Sequence, residues 1–79
     1  MDARFLSPEA AMRLLELSKT SYRPREIVKL KEQIERETRL AKLRAVNAGV
    51  VDQEGVQKIV GMRLRLDGLY AAWAQGDIG

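Results

Sequence analysis

Apolar residues recur every three or four positions in three separate segments of this chain, and no segment alternates apolar and polar residues as a strand does. This spacing is typical of amphipathic α-helices. We therefore predict an all-α protein: a single helical domain with a short helix at about 8–20, a long one at about 24–48 and a third at about 53–75.

Residues with known preferences for helix ends mark the boundaries of these segments. Ser7 is a good N-cap for the first helix, and Asp52 is one for the third. Pro24 disfavours a helix before it and suits the first turn of the helix after it. Gly49 and Gly76 follow the second and third segments, where a left-handed C-cap is common. Each predicted helix therefore has a start signal of its own.

The loop between the two long helices is short, which favours an antiparallel two-helix hairpin with the first helix against one side. The apolar stripes of the two helices would face each other. The predicted hairpin core is Ile27, Leu30, Ile34, Ala41, Ala45, Val56, Ile59, Met62, Leu66, Leu69, Tyr70 and Trp73. In one interpretation Tyr70 and Trp73 close this core, and in the other they are a hot spot for a partner.

Two glycines interrupt the third helix on the face opposite its bulky stripe. A glycine inside a helix costs about 1 kcal/mol relative to alanine, so Gly61 and Gly68 need an explanation. Either they only weaken or kink the helix, or they let another chain approach closely. In the second interpretation the candidate partner contacts are the glycines, one alanine and three otherwise exposed leucines: Leu40, Leu43, Gly61, Leu64, Gly68 and Ala72.

Composition narrows the chemistry that the chain can perform. It has 79 residues, no cysteine and no histidine, so it lacks disulfides, thiolate metal ligands and the commonest general base. No glycine-rich phosphate loop or EF-hand spacing is present. We predict no enzymatic activity, no cofactor, no metal and no small-molecule substrate. A chain of this size is also only marginally stable alone, so oligomerisation or docking on a partner is expected to complete the fold.

Neither end of the chain predicts a membrane or secretory destination. Apolar runs are far shorter than the roughly 20 residues that cross a bilayer, and the start "MDARFLSPEA" lacks the basic region of a signal peptide. The expected location is the cytoplasm, or a larger particle that carries the protein.

Positive charge is concentrated in the middle of the chain. The span 19–44 holds nine of the 14 basic residues but only four of the 11 acidic ones. This distribution suits contact with phosphates or an acidic partner, for which the candidates are Arg25, Lys29, Arg36, Arg39 and Arg44. A solvated helix face is the alternative, because the charges alternate in sign. The second helix is also longer than the recognition helix of a typical helix-turn-helix protein, which argues against that way of binding DNA.

The run "DQEGVQKIVGMRLRLDGLYAAW" resembles the second helix of short helical-hairpin proteins encoded among the structural genes of tailed bacteriophages. The matching positions are Asp52, Glu54, Gly55, Lys58, Leu66 and Asp67. Gly61 and Gly68 depart from the family, which has bulkier or charged residues there. The resemblance implies a virion structural or assembly protein without catalytic residues.

The sequence therefore favours a non-enzymatic protein–protein interaction or assembly protein, a minor structural or accessory component of a phage particle. Its partner would be a second copy of the chain or a larger assembly. Two other classes stay open: a small nucleic-acid-binding regulator that uses the basic helix, and a small inhibitor that covers the surface of another protein.

Overall fold

A computed structural model describes residues 6–79 and shows three α-helices: α1 (Pro8–Ser18), α2 (Arg25–Ala48) and α3 (Gln53–Ala74). This part of the chain contains no strand, so the prediction of an all-α fold is confirmed. The helix boundaries differ from the predicted ones by no more than two residues. α2 is 24 residues long and α3 is 22, which corresponds to about 36 and 33 Å at 1.5 Å per residue.

Local capping explains where the helices begin and end. The Ser7 hydroxyl accepts a hydrogen bond from the Ala10 N–H at 3.2 Å, and the Asp52 carboxylate accepts one from the Gly55 N–H at 3.2 Å. These bonds satisfy N–H groups that have no partner within the helix. α2 ends at Gly49, whose φ of 73° is in the left-handed region that glycine adopts at little cost.

α2 and α3 pack against each other through a small apolar core. Leu30 and Ile34 of α2 and Met62 of α3 are buried together, and Ile59, Leu66 and Leu69 are packed around them. Polar contacts extend this packing toward the loop. Glu37 pairs with Lys58, and Arg44 pairs with Asp52. Residues near the end of α2 therefore contact residues near the start of α3.

α1 packs on α3 and, within the described residues, makes no comparable packing with α2. Ala71 and Ala74 are almost completely buried although they point away from the face that carries Met62. Among the described residues, α1 is the other helix that packs on α3, and it carries the half-buried residues Leu14 and Leu17. The C-terminal half of α3 is therefore covered on two sides.

Trp73 closes this end of the molecule. The indole is only 3% exposed, and its ring centroid is 6.3 Å from that of Tyr70. The Arg23 guanidinium lies 5.2 Å from the centroid of the Trp73 ring, within the range of a cation–π interaction. Pro24, next to Arg23, is fully buried. The connection between α1 and α2 is thus anchored at the end of α3.

Candidate partner-binding surfaces

Most residues of the predicted core are buried or half-buried. Val56 is different: it was predicted in the core but is 45% exposed. It is near the start of α3, where it lines an open depression between α2 and α3. In contrast, Gly55, which was not in the predicted core, is buried against α2, where an added Cβ would lie 3.2 Å from that of Ala41.

The predicted partner contacts lie in different places. Leu40 and Leu43 are exposed on the outer side of α2, whereas Leu64 is 60% exposed on the outer side of α3. Gly61 is exposed, and an added Cβ there would meet nothing within 4 Å. The other two predicted positions on α3, Gly68 and Ala72, are half-buried. The structure therefore does not join these residues into one surface.

One outward patch on α3 includes a residue that the sequence analysis missed. Val60 is 53% exposed, directly precedes Gly61 and lies one helical turn before Leu64. Residues four apart share a helix face, so the spacing of Val60 and Leu64 was the available signal. We refer to Val60, Gly61 and Leu64 as the α3 patch. It is an exposed aliphatic pair with a bare stretch of helix surface, at Gly61, beside it.

A second surface runs along one side of the contact between α2 and α3. Three adjoining open cavities of about 280, 350 and 110 Å³ share lining residues, Thr38 between the first two and Ile34 and Arg63 between the last two. Together they form a continuous depression, which we call the seam groove. Its floor consists of Ile34, Thr38, Ala41, Ala45, Val56 and Ile59.

Basic side chains dominate the edges of the seam groove. Lys31, Arg39 and Lys42 line it from α2, and Arg63 lines it from α3. Glu35 is an acidic residue on the same edge as the three from α2, and none of these five side chains forms an ion pair within residues 6–79. Asp52 also lines the groove and is paired with Arg44. Among the described residues, the groove thus combines an apolar floor with an excess of unpaired positive charge.

The opposite side of the α2–α3 contact is polar and internally paired. The Arg44 Nε donates to the Asp52 carboxylate at 2.8 Å, and the Lys58 Nζ donates to Glu37 at 3.3 Å. Asp52 also caps α3, so its charge serves both contacts. Arg44 was predicted as a contact for phosphate or an acidic partner; in the structure it pairs with Asp52, and its side chain is 57% exposed.

The remaining predicted basic contacts separate into two groups. Arg25, Lys29 and Arg36 are exposed on the outer side of α2, away from α3, and make no ion pair with a described residue. Arg39 instead lines the seam groove. The basic middle of the sequence is therefore not one continuous binding face in three dimensions.

The polar and charged side chains of the described residues all lie at the surface or are half-buried. Residues 6–79 contain no buried polar or charged side chain and no group of three acidic residues placed to hold a metal ion. In the same range, none of the three helices is both long enough and apolar enough to span a lipid bilayer. The surfaces that stand out are apolar or basic.

Comparison with known proteins finds no relative of this chain. The chain matches no protein-family model, no curated protein and no solved structure.

Proposed function

We propose that this protein is a non-enzymatic assembly protein, in which α2 and α3 form an antiparallel hairpin that other protein chains complete. The observation that carries this proposal is the α3 patch. Val60 and Leu64 are each more than half exposed, beside a glycine with open space around it. Single exposed aliphatic residues are common on proteins, but neighbouring ones on one helix face suit a partner.

The limited core supports the same proposal. Residues 6–79 contain eight buried apolar side chains, and three of these, Leu30, Ile34 and Met62, form the central cluster. A domain of 79 residues buries a small fraction of its surface compared with larger domains, so it has little stability to spare. Burying the α3 patch against a partner would add apolar burial at about 25 cal/mol per Å².

Gly61 gives the α3 patch a specific use. A helix without a side chain at this position allows the backbone of a neighbouring helix to approach closely, as small residues do at other helix–helix contacts. A glycine at this exposed position costs about 1 kcal/mol of helix stability relative to alanine. Close contact with a partner chain offsets that cost.

For the biological setting, we propose an accessory component of a tailed-phage particle, located in the virion or in the cytoplasm where virions assemble. The support is the resemblance at Asp52, Glu54, Gly55, Lys58, Leu66 and Asp67. The Asp52–Gly55 hydrogen bond gives two of these residues a capping role at the start of α3.

A nucleic-acid-binding regulator is the second candidate function. It is favoured by one observation: Arg25, Lys29 and Arg36 share the outer side of α2 and are free of ion pairs with described residues. A steep loss of DNA affinity with rising salt would support it.

Light scattering over a range of protein concentrations tests the assembly proposal. We expect a mass above that of one chain, and Leu64→Glu should return it to the mass of one chain while circular dichroism stays helical. Leu43→Glu is the matched control, because Leu43 is 59% exposed and Leu64 is 60% exposed. A single chain at every concentration, with no protein recovered alongside it from its natural source, would contradict the proposal.

A further inference from the structure

We infer that the seam groove is a docking site for an acidic amphipathic helix of another protein. This inference rests on the proposed role in protein binding but uses a different surface from the α3 patch. It follows from the shape of the groove, the charges on its edges and the composition of the chain itself.

The floor of the groove suits the apolar face of a helix. Small side chains, Thr38, Ala41 and Ala45, line it on α2, while Val56 and Ile59 line it on α3. Small residues keep the depression open, and the aliphatic ones provide apolar contact. From Lys31 to Ala45 the groove follows about 21 Å of α2, enough for a helix of roughly 14 residues. Grooves of this kind bind helices through apolar residues spaced three or four apart.

The edges of the groove determine the charge of the occupant. Four basic residues and Glu35 line them without an ion pair within residues 6–79, and the second acidic lining residue, Asp52, is already paired with Arg44. Carboxylates placed beside the apolar face of a docked helix would meet Lys42 and Arg39 on one edge and Arg63 on the other. Such complementarity favours an acidic helix over a neutral or basic one.

A second copy of the chain does not supply this helix. α2 and α3 each carry more basic than acidic residues. α1 carries Arg13 between its two glutamates, and α1 is already packed on α3. A nucleic acid would use the basic edges but not the floor, which has no aromatic residue on which bases could stack. The chemistry therefore indicates a different protein as the occupant.

Fluorescence anisotropy with a labelled synthetic peptide tests the inference. The peptide repeats leucine every three or four positions and places glutamate beside each leucine, and a control peptide has lysine in place of glutamate. We expect the full chain to bind the glutamate peptide at low salt and not the lysine peptide. The double variant Lys42→Glu, Arg63→Glu should weaken binding about tenfold or more.

Arg25→Glu with Lys29→Glu is the matched control, because it changes net charge equally on the outer side of α2. Equal losses in the two double variants would overturn the inference, since binding would then follow net charge and not the groove. Ala45→Gln narrows the floor and should also weaken binding of the glutamate peptide, while the helicity measured by circular dichroism stays unchanged.

Two other occupants have distinct signatures. Binding of a DNA oligonucleotide that is lost with the groove-edge variant but unaffected by Ala45→Gln would overturn the inference in favour of nucleic acid. Self-association that Ala45→Gln abolishes would overturn it in favour of a second copy. Leu64→Glu leaves the groove intact, so peptide binding by that variant distinguishes failure at the groove from failure of the α3 patch.

Discussion

The two ends of α3 differ in what covers them. At the C-terminal end, α2 and α1 pack on different sides of the helix, and Ala71, Trp73 and Ala74 are buried. Toward the N-terminal end, Val56 and Val60 are exposed although valine is also apolar. We attribute this difference to the short length of α1. α1 is 11 residues long, half the length of α3.

This difference separates stability from binding. The covered end contains the residues whose burial holds the three helices together. The open end contains the part of the seam groove around Val56, the α3 patch and the loop valines Val50 and Val51, whose side chains are exposed. Substitutions at the covered end should therefore affect folding, and substitutions at the open end should affect association.

The largest expected effect is the difference in stability between alanine substitutions at the two ends of α3. Trp73→Ala should lose about 3–5 kcal/mol of unfolding free energy because it removes a buried aromatic ring, whereas Val56→Ala should lose less than about 1 kcal/mol. Urea unfolding followed by circular dichroism measures both. Tyr22→Ala is the control for removing an aromatic residue, since Tyr22 is exposed. Similar losses for Trp73 and Val56 would remove the distinction between the ends.

Alanine substitutions at two glycines, Gly49 and Gly61, should change the stability of the protein by intermediate amounts and in opposite directions. Gly49→Ala should destabilise the protein by about 1–2 kcal/mol, because φ is 73° and a Cβ is strained there. Gly61→Ala should stabilise it by about 0.5–1 kcal/mol, because the helix gains propensity and the Cβ meets nothing within 4 Å. Thermal unfolding at one protein concentration compares them. A loss of stability at Gly61 in the dissociated chain would mean that its surroundings are not open.

The smallest effects concern the polar contacts that hold the open end. Asp52→Ala removes the cap of α3 and the partner of Arg44, and should cost about 1 kcal/mol. Glu37→Gln removes only the ion pair with Lys58, whose ammonium side is well exposed, and should cost less than about 0.5 kcal/mol. Urea unfolding at low and high salt tests this order. If Glu37 contributed more than Asp52, capping would not be the main polar contribution at this end.

Sequence reasoning worked best where the signal is local. Ser7 and Asp52 were predicted as N-caps, and their side chains accept the expected hydrogen bonds. Such caps depend on residues three positions apart, which the sequence displays directly. The apolar period likewise predicted the three helices and the all-α fold.

It worked less well where burial depends on distant segments. Ala71 and Ala74 lie off the main apolar stripe of α3 and were not assigned to the core, yet they are buried. Val56 was assigned to the core and is 45% exposed. The basic residues of α2 are close together in the sequence, but Arg44 pairs with Asp52, Arg39 lines the groove, and Arg25 is exposed on the outer side.

The sequence by itself determined the helices and their ends, because hydrogen bonding and side-chain spacing within a few residues are enough to specify them. Only the tertiary structure decided which part of α3 is covered and where the groove lies. The reason is physical: the burial of a side chain depends on which helix packs over it. In this protein, burial along α3 depends on the packing of α1 against α3 and on the position of Arg23 and Pro24 beside Trp73.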